Sequence, residues 1–237
     1  MASGRLTVLH EHKFHDAYGQ LYFNPFVGQN VVGSEDIYAA SMPVLDDLFA
    51  YVTHESTPRR IVPENAHIAV VWRAAIEGLE PAYRAGFRKA IHYGMSRNGT
   101  ARSSVYYRGP SALQKVTSDQ MAVGFDPVCA TGGTMEDLIV QLESQGFLPE
   151  NIQLVSKFAA PEGLVKILRR RPDIRGITVG RIETGMDSHA YLFGMKVGDA
   201  GDLSKDASAS RVQSIVQTGL IHGEEAVRLM KRYALGE

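Results

Sequence analysis

The chain has few of the features that would give it a disulfide framework, a membrane span or a surface for nucleic acid. Its single cysteine, Cys129, excludes an intrachain disulfide, and no apolar run reaches the length that spans a bilayer. The formal net charge is −1 over 237 residues, so the positive excess typical of nucleic-acid binding is absent. The N-terminus also lacks the apolar core of a signal peptide. We therefore expect a globular cytoplasmic protein without membrane or nucleic-acid partners.

Predicted strands and helices alternate along the chain from Ala66 onward. Short buried apolar runs such as Ile68 to Trp72 and Ile152 to Phe158 are separated by segments with helical spacing. This alternation predicts an α/β fold, with a mostly parallel sheet flanked by helices. The pattern divides the chain into an N-terminal arm at 1–35, an α/β domain at 36–210 and a C-terminal helical extension at 211–237.

Some segments are predicted to break this regular pattern. Residues 1–35 show no hydrophobic period and are predicted to be irregular. They contain His10, His12 and His15, but no second set of ligands accompanies these histidines, so we predict no metal site. A helix is predicted from Ser34, with Pro43 as its break, and Gly94 to Arg102 is predicted to be polar and flexible.

The segment from Val123 to Thr134 predicts a strand, a short loop and the start of a helix. Gly132 and Gly133 have no side chain to obstruct a ligand, and Thr131 and Thr134 supply hydroxyl groups. Backbone N–H groups at the start of the following helix can therefore converge on a phosphate. The loop lacks the patterns of nucleoside-triphosphate and dinucleotide sites. An ordinary glycine-containing turn capped by threonine is the alternative.

Two further side chains lie in the same segment. Asp126 follows the predicted strand, where its carboxylate can accept hydrogen bonds from sugar hydroxyl groups. Cys129 lies within the loop, and we expect a small buried hydrophobic residue because no activating base is adjacent in sequence. The alternative for Cys129 is a nucleophile.

These motifs together resemble the uracil phosphoribosyltransferase family. The family loop Asp-Pro-Met-Leu-Ala-Thr-Gly-Gly-Ser corresponds to Asp-Pro-Val-Cys-Ala-Thr-Gly-Gly-Thr here, and order and spacing agree from Val70 to Asp202. The resemblance includes the run Ala159 to Gly163, His189 and Tyr191, and the run Gly198 to Asp202. It implies a type I phosphoribosyltransferase fold with a flexible hairpin and a hood over the base.

The resemblance also assigns roles to individual residues. The donor would be 5-phosphoribosyl-1-diphosphate, bound with Mg²⁺ that the diphosphate and ribose oxygens mainly hold. Ala130, Thr131, Gly132, Gly133 and Thr134 would bind the 5′-phosphate, and Asp126 would contact the ribose. Arg73 and, after a one-residue gap in the alignment, Arg97 would contact the diphosphate. The residues expected to bind the base are Tyr191, Met195, Lys196, Val197, Gly198 and Asp199, of which Asp199 would touch the acceptor ring.

The base-binding turn departs from the family pattern. One residue is inserted there, the family's proline is absent, and Lys196 is added. We hypothesise that Lys196 pairs with a carboxylate or an additional oxygen on the acceptor; the alternative is a side chain that points to solvent. Trp72 and Ala75 stand where the family has leucine and glycine.

Two functions follow from the resemblance and its departures. The first is phosphoribosyl transfer to a ring nitrogen of uracil or a related heterocycle, by a homodimer or larger homo-oligomer. The second is a non-catalytic sensor of phosphoribosyl diphosphate or nucleotides, which keeps the loop but has lost transfer. Retention of Arg73, Asp126 and the Thr-Gly-Gly-Thr run favours the enzyme.

Overall fold

The computed structural model describes residues 5–9, 34–72, 74–97, 103–182 and 209–221. One sheet within these ranges contains eight strands. The strands are β1 (Leu6–Val8), β2 (Ala66–Trp72), β3 (Lys89–Arg97), β4 (Ser103–Arg108), β5 (Met121–Phe125), β6 (Val128–Cys129), β7 (Ile152–Ala159) and β8 (Gly176–Ile182). The described α-helices are α1 (Ser34–Thr53), α2 (Leu79–Arg84), α3 (Gly133–Gln145), α4 (Pro161–Arg170) and α5 (Ala209–Gln217).

The sheet is parallel except for one hairpin at its edge. The strand order is β1-β8-β7-β5-β2-β3-β4, with β6 paired to β7. Strands β3 and β4 pair antiparallel, and the other pairs are parallel. The carboxyl ends of β2, β5 and β7 therefore meet at one edge, where parallel sheets bind their ligands. The predicted α/β fold class is confirmed.

The hydrophobic core lies on both faces of the sheet. Ile68 and Val70 of β2 pack in one cluster with Phe49 of α1, while Ala69 and Val71 belong to a second cluster with residues of α3. Successive residues of a strand point to opposite faces, so a strand buried on both faces reads as a continuous apolar run. This arrangement explains why β2 is apolar at nearly every position.

The first described strand corrects the prediction of an irregular N-terminus. Leu6–Val8 pairs in parallel with β8, in the register Leu6↔Ile177. Three residues are too few to show a period, so the pattern could not reveal this strand. His10, His12 and His15 lie outside the described residues. The domain boundaries stay predictions.

The predicted break at Pro43 is wrong. Helix α1 continues through Pro43 for its full 20 residues. Proline removes one backbone donor, but Leu45, Leu48 and Phe49 are almost completely buried against the sheet. Tertiary packing of this apolar face keeps the helix continuous.

The polar hairpin is more regular than predicted. Residues Gly94 to Arg97 belong to β3, and Met95 pairs with Val105 of β4 after an irregularity in register. Strand β3 therefore continues into the segment predicted to be polar and flexible, and Met95 is buried there.

The C-terminal segment packs onto the same domain. Helix α5 precedes Leu220 and Ile221, and both residues are buried together with Ile215 in the cluster that contains β2. The second predicted helical piece lies outside the described residues. No helix in the described part of the chain is long and apolar enough to cross a membrane.

Candidate functional site

The predicted phosphate loop lies at the carboxyl edge of the sheet, between β5 and α3. Helix α3 begins at Gly133, and its first backbone hydrogen bond runs from Glu136 N to Gly132 O at 2.9 Å. The N–H groups of an α-helix's first turn have no acceptor within the helix, and this end of a helix is the one that favours anions. The predicted strand, loop and helix are thus confirmed, and Thr131 and Thr134 are both half-buried at this turn.

Position 132 requires glycine, because the backbone there is left-handed and there is no room for a Cβ. Its φ is +73°, in the left-handed region, and a Cβ there would lie 2.9 Å from the carbonyl oxygen of Gly163. Gly163, in the first turn of α4, is restricted by space alone: a Cβ there would overlap the carbonyl oxygen of Ala130 and lie 3.0 Å from Gly132 N. The first turn of α4 is therefore in direct contact with the phosphate loop.

Backbone hydrogen bonds fasten the loop to β7. Strand β6 pairs with the end of β7, in the register Cys129↔Ala159. Ala160 N donates to Cys129 O at 2.9 Å, and Phe158 N donates to Pro127 O at 3.1 Å. Pairing with β7 thus holds the loop on one side, and contact with the first turn of α4 holds it on another. Cys129 is buried, as predicted.

Asp126 lies at the carboxyl end of β5, beside the predicted phosphate loop. It follows β5 directly and is half-buried, and its N–H donates to Val155 O at 3.3 Å. Its Oδ1 accepts a hydrogen bond from Val128 N at 3.5 Å. A local turn of this kind orients the carboxylate at the end of β5.

A buried ion pair joins the loop region to the segment that follows Arg73. Lys157 Nζ of β7 lies 2.5 Å from Glu77 Oε1, and the two side chains are 3% and 7% exposed. Glu77 belongs to a short 3₁₀ turn at Ala74–Gly78. A Cβ on Gly78 would overlap the ring of Phe125, the residue before Asp126. The segment after β2 is thus packed closely against the end of β5.

Ion pairs also connect α3 with α4. Glu136, in the first turn of α3, lies 3.0 Å from Arg170 Nη1 and 3.2 Å from Lys166 Nζ. Burial acts to raise the pKa of Glu136, but the hydrogen bonds from Arg170 and Lys166 outweigh it and lower that pKa. These contacts hold α4 beside the helix that follows the predicted phosphate loop.

The structure brings together only part of the predicted site. Asp126 and the run Ala130, Thr131, Gly132, Gly133 and Thr134 lie at one edge of the sheet. Arg97 is the last residue of β3, but the structure does not describe its side chain. The remaining predicted site residues lie outside the described residues; they are Arg73, Tyr191, Met195, Lys196, Val197, Gly198 and Asp199.

The sequence alone did not identify the roles of Gly163, Glu77 and Lys157. Gly163 belongs to the run Ala159 to Gly163 that carries the family resemblance, and this run was the available signal. The pair Glu77 and Lys157 gave no comparable signal, because its members are 80 residues apart and only the folded sheet brings them into contact.

The described residues do not by themselves form a complete set of metal ligands. No group of three or more histidine, cysteine, aspartate or glutamate residues in the described ranges is arranged to hold a metal ion. Asp126 is a half-buried carboxylate beside the loop. Mg²⁺ commonly keeps several waters and binds through one or two carboxylates plus substrate phosphates. The residues present therefore fit a Mg²⁺ ion that arrives with a phosphorylated ligand.

Comparisons with known proteins agree with this geometry. The family model for uracil phosphoribosyltransferase matches residues 40–203. A uracil phosphoribosyltransferase of Haloarcula marismortui is 33% identical over 148 residues, which cover 59% of this chain and 64% of that protein. One from Campylobacter jejuni is 31% identical over 150 residues, covering 62% of this chain and 69% of that protein.

A solved structure shares the fold. The AQ2163 protein from Aquifex aeolicus superposes with a TM-score of 0.66 at 21% identity, covering 84% of this chain and 96% of that one. The family model ends at residue 203, so α5 and the residues after it lie beyond the matched region.

Proposed function

The chain belongs to the uracil phosphoribosyltransferase family, and from this we propose that it transfers a 5-phosphoribosyl group to uracil. The donor is 5-phosphoribosyl-1-diphosphate. A ring nitrogen of the base forms a bond to C1 of the ribose, the bond from C1 to the diphosphate oxygen breaks, and pyrophosphate leaves. The ring nitrogen loses its proton in the same overall reaction.

The observation that carries the proposal is the left-handed Gly132 at the start of α3. This conformation ends the loop that follows Asp126 and begins the first turn of α3, whose N–H groups are proposed to bind the phosphate. The 5′-phosphate is the ligand group that best fits such a cluster of backbone donors. The half-buried Asp126, at the end of β5, is proposed to accept hydrogen bonds from the ribose hydroxyl groups.

Departure of pyrophosphate increases negative charge on the leaving group. Arg73 and Arg97 are proposed to donate hydrogen bonds to the diphosphate, because planar guanidinium groups stabilise this charge. Mg²⁺, when bound with the donor, supplies further stabilisation of the same charge. Asp126 contributes a carboxylate near the ribose, where positive charge develops as the bond to C1 breaks.

The turn from Met195 to Asp199 and Tyr191 are proposed to bind the base. Support comes from the family match, which extends through residue 203 and so includes the turn. The inserted residue and Lys196 distinguish this turn from the family pattern. A homodimer or larger homo-oligomer and a cytoplasmic location also stay predictions.

The test is synthesis of the nucleoside monophosphate by the purified full chain. Donor, Mg²⁺ and uracil are mixed, and both pyrophosphate and uridine monophosphate are measured; equal amounts of the two are expected. If no ring in a panel of heterocycles yields pyrophosphate while the donor still binds, the enzyme proposal is overturned in favour of a sensor.

A matched pair of variants connects activity to the site. Asp126→Asn keeps an oxygen acceptor for Val128 N but removes the charge, and we expect kcat/KM to fall about 10- to 100-fold. Asp119→Asn is the control. Asp119 is exposed to solvent and lies just before the first residue of β5, at the other end of the strand from Asp126. Equal activity of the two variants would contradict the role of Asp126.

A further inference from the structure

His92 links the C-terminal segment to the end of β2. Its ring is completely buried on β3. Trp72 Nε1 lies 3.1 Å from His92 Nδ1, and His92 Nε2 lies 2.9 Å from the carbonyl oxygen of Leu220. An indole N–H only donates and a carbonyl oxygen only accepts, so His92 must accept at Nδ1 and donate at Nε2. These two hydrogen bonds therefore require the neutral ring with its proton on Nε2.

The indole on one side of this link is held firmly. The ring of Trp72 packs edge-on against His92 and Tyr107, with centroid distances of 5.9 and 5.7 Å. Trp72 is the last residue of β2, and the next residue in the chain is Arg73, the proposed ligand of the diphosphate. A fixed indole therefore constrains the carboxyl end of β2 at Trp72.

The segment on the other side of the link is also well ordered. Thr218 Oγ1 donates to Ile215 O at 2.6 Å and accepts from Leu220 N at 3.1 Å. Ile215 and Leu220 are each only 3% exposed and share a buried cluster with Trp72. The link thus joins residues 128 apart in sequence, namely His92 and Leu220.

We propose that His92 is a positioning residue, through which the docked C-terminal segment holds Trp72 and so places Arg73 for binding the diphosphate. The proposal rests on the function proposed above. Leucine, which the family has at the position of Trp72, cannot donate a hydrogen bond to His92. The link therefore belongs to this chain's combination of Trp72 and His92, and the segment that completes it lies beyond the family match.

Two substitutions of His92 separate its two hydrogen bonds. In His92→Asn, the amide oxygen occupies the place of Nδ1 and keeps an acceptor for Trp72, but the donor to Leu220 is lost. In His92→Gln, the amide nitrogen extends toward Leu220 O and keeps that donor. Trp72 is the chain's single tryptophan, so its fluorescence emission reports directly on the indole.

A second pair of variants tests the segment without changing His92. Ile215→Ala removes packing from the docked segment, whereas Ile174→Ala makes the same change at an equally buried residue of the opposite cluster. Both variants should lower Tm. Ile215→Val provides a milder change at the same position if Ile215→Ala does not fold.

His92→Asn loses the hydrogen bond to Leu220 O, and Ile215→Ala loosens the segment that presents this oxygen. We expect each variant to raise the KM for the diphosphate sugar about two- to tenfold. The KM for uracil should stay unchanged, and Trp72 emission should shift in both variants. His92→Gln, which breaks the link at Trp72 instead of at Leu220, should also shift the emission and raise the donor KM. Ile174→Ala should leave emission and both KM values unchanged.

The proposal is overturned if Ile174→Ala raises the donor KM as much as Ile215→Ala, because the effect would then follow general stability. It is also overturned if His92→Asn binds the donor as the wild type does. Donor binding measured by calorimetry needs no turnover. If the wild type binds the donor but transfers to no ring, the proposed function fails, and the calorimetric Kd values still decide the role of His92.

Discussion

Lys157 Nζ lies 2.5 Å from Glu77 Oε1 in a region from which solvent is almost excluded. The pair joins the segment after β2 to the strand that pairs with β6. A buried ion pair often adds little net stability, but removal of one partner leaves the other charge buried and unpaired. Both the segment that follows Arg73 and the phosphate loop therefore depend on this contact for their relative position.

Lys157→Met is expected to lower the free energy of unfolding by about 3–5 kcal/mol, because the Glu77 carboxylate is left buried. The double variant Lys157→Met with Glu77→Gln should recover much of this loss. Urea denaturation of the wild type, both single variants and the double variant measures the coupling. Additive losses in the double variant would show that the two charges do not interact.

Gly132→Ala should weaken donor binding because it disturbs the loop itself. The left-handed conformation costs a non-glycine residue about 1–2 kcal/mol, and the new Cβ would also crowd the carbonyl oxygen of Gly163. We expect lower stability and a higher Kd for the diphosphate sugar, measured by denaturation and by calorimetry.

Gly146→Ala is the matched control for this strain. Gly146 ends α3 with φ of +111°, and its Cβ would lie 3.3 Å from Val116 O, at the opposite end of the helix from the loop. This variant should lose similar stability and keep the wild-type Kd for the donor. A comparable loss of donor binding in both variants would argue against a phosphate site at Gly132.

His67 should make folding sensitive to mild acid. Burial and, to a lesser extent, the charge of Lys89 lower the pKa of His67 from 6.5 to about 4. Between these values the unfolded chain binds a proton that the folded protein does not, so the stabilisation is complete above the unfolded pKa and is lost as pH falls toward 4. The ring is partly exposed, and we therefore expect an effect of about 1–2 kcal/mol.

His67→Gln, which stays neutral, tests this expectation. The free energy of unfolding is measured by urea denaturation at pH 7 and at pH 4.5 for both proteins. Acidification should destabilise the wild type more than the variant, since carboxylates that titrate in the same range contribute equally to both. Equal losses would refute a lowered pKa at His67.

Lys196→Met should change acceptor preference without changing donor binding. If Lys196 pairs with a carboxylate on the acceptor, kcat/KM for an acidic pyrimidine should fall about 10-fold or more, while uracil is affected less. Lys205→Met, two residues beyond the family match, is the control. An equal loss on both acceptors would leave Lys196 without a role in selecting the ring.

Local features of the sequence predicted the part of the site that is local in structure. The apolar strand before Asp126, the glycines of the loop and the period of α3 are contiguous, so one pattern predicted all three. Pro43 shows the limit of such patterns, because packing on the sheet outweighed a local helix breaker.

Other features depended on contacts between distant elements. Gly163 is needed because α4 approaches the loop, and His92 contacts a carbonyl that follows it by 128 residues. Neither requirement leaves a periodic signal in the sequence. The three residues of β1 were missed for a related reason, since their extended structure depends on β8 as a partner.

Strand β1 also protects its neighbour from association with other chains. Its backbone occupies the side of β8 that would otherwise present unpaired N–H and C=O groups. An exposed strand of this kind is a template for pairing with another molecule, and a very short terminal strand limits that hazard. Loss of the few residues around Leu6 would therefore favour aggregation through β8, even though those residues lie far from the phosphate loop in sequence.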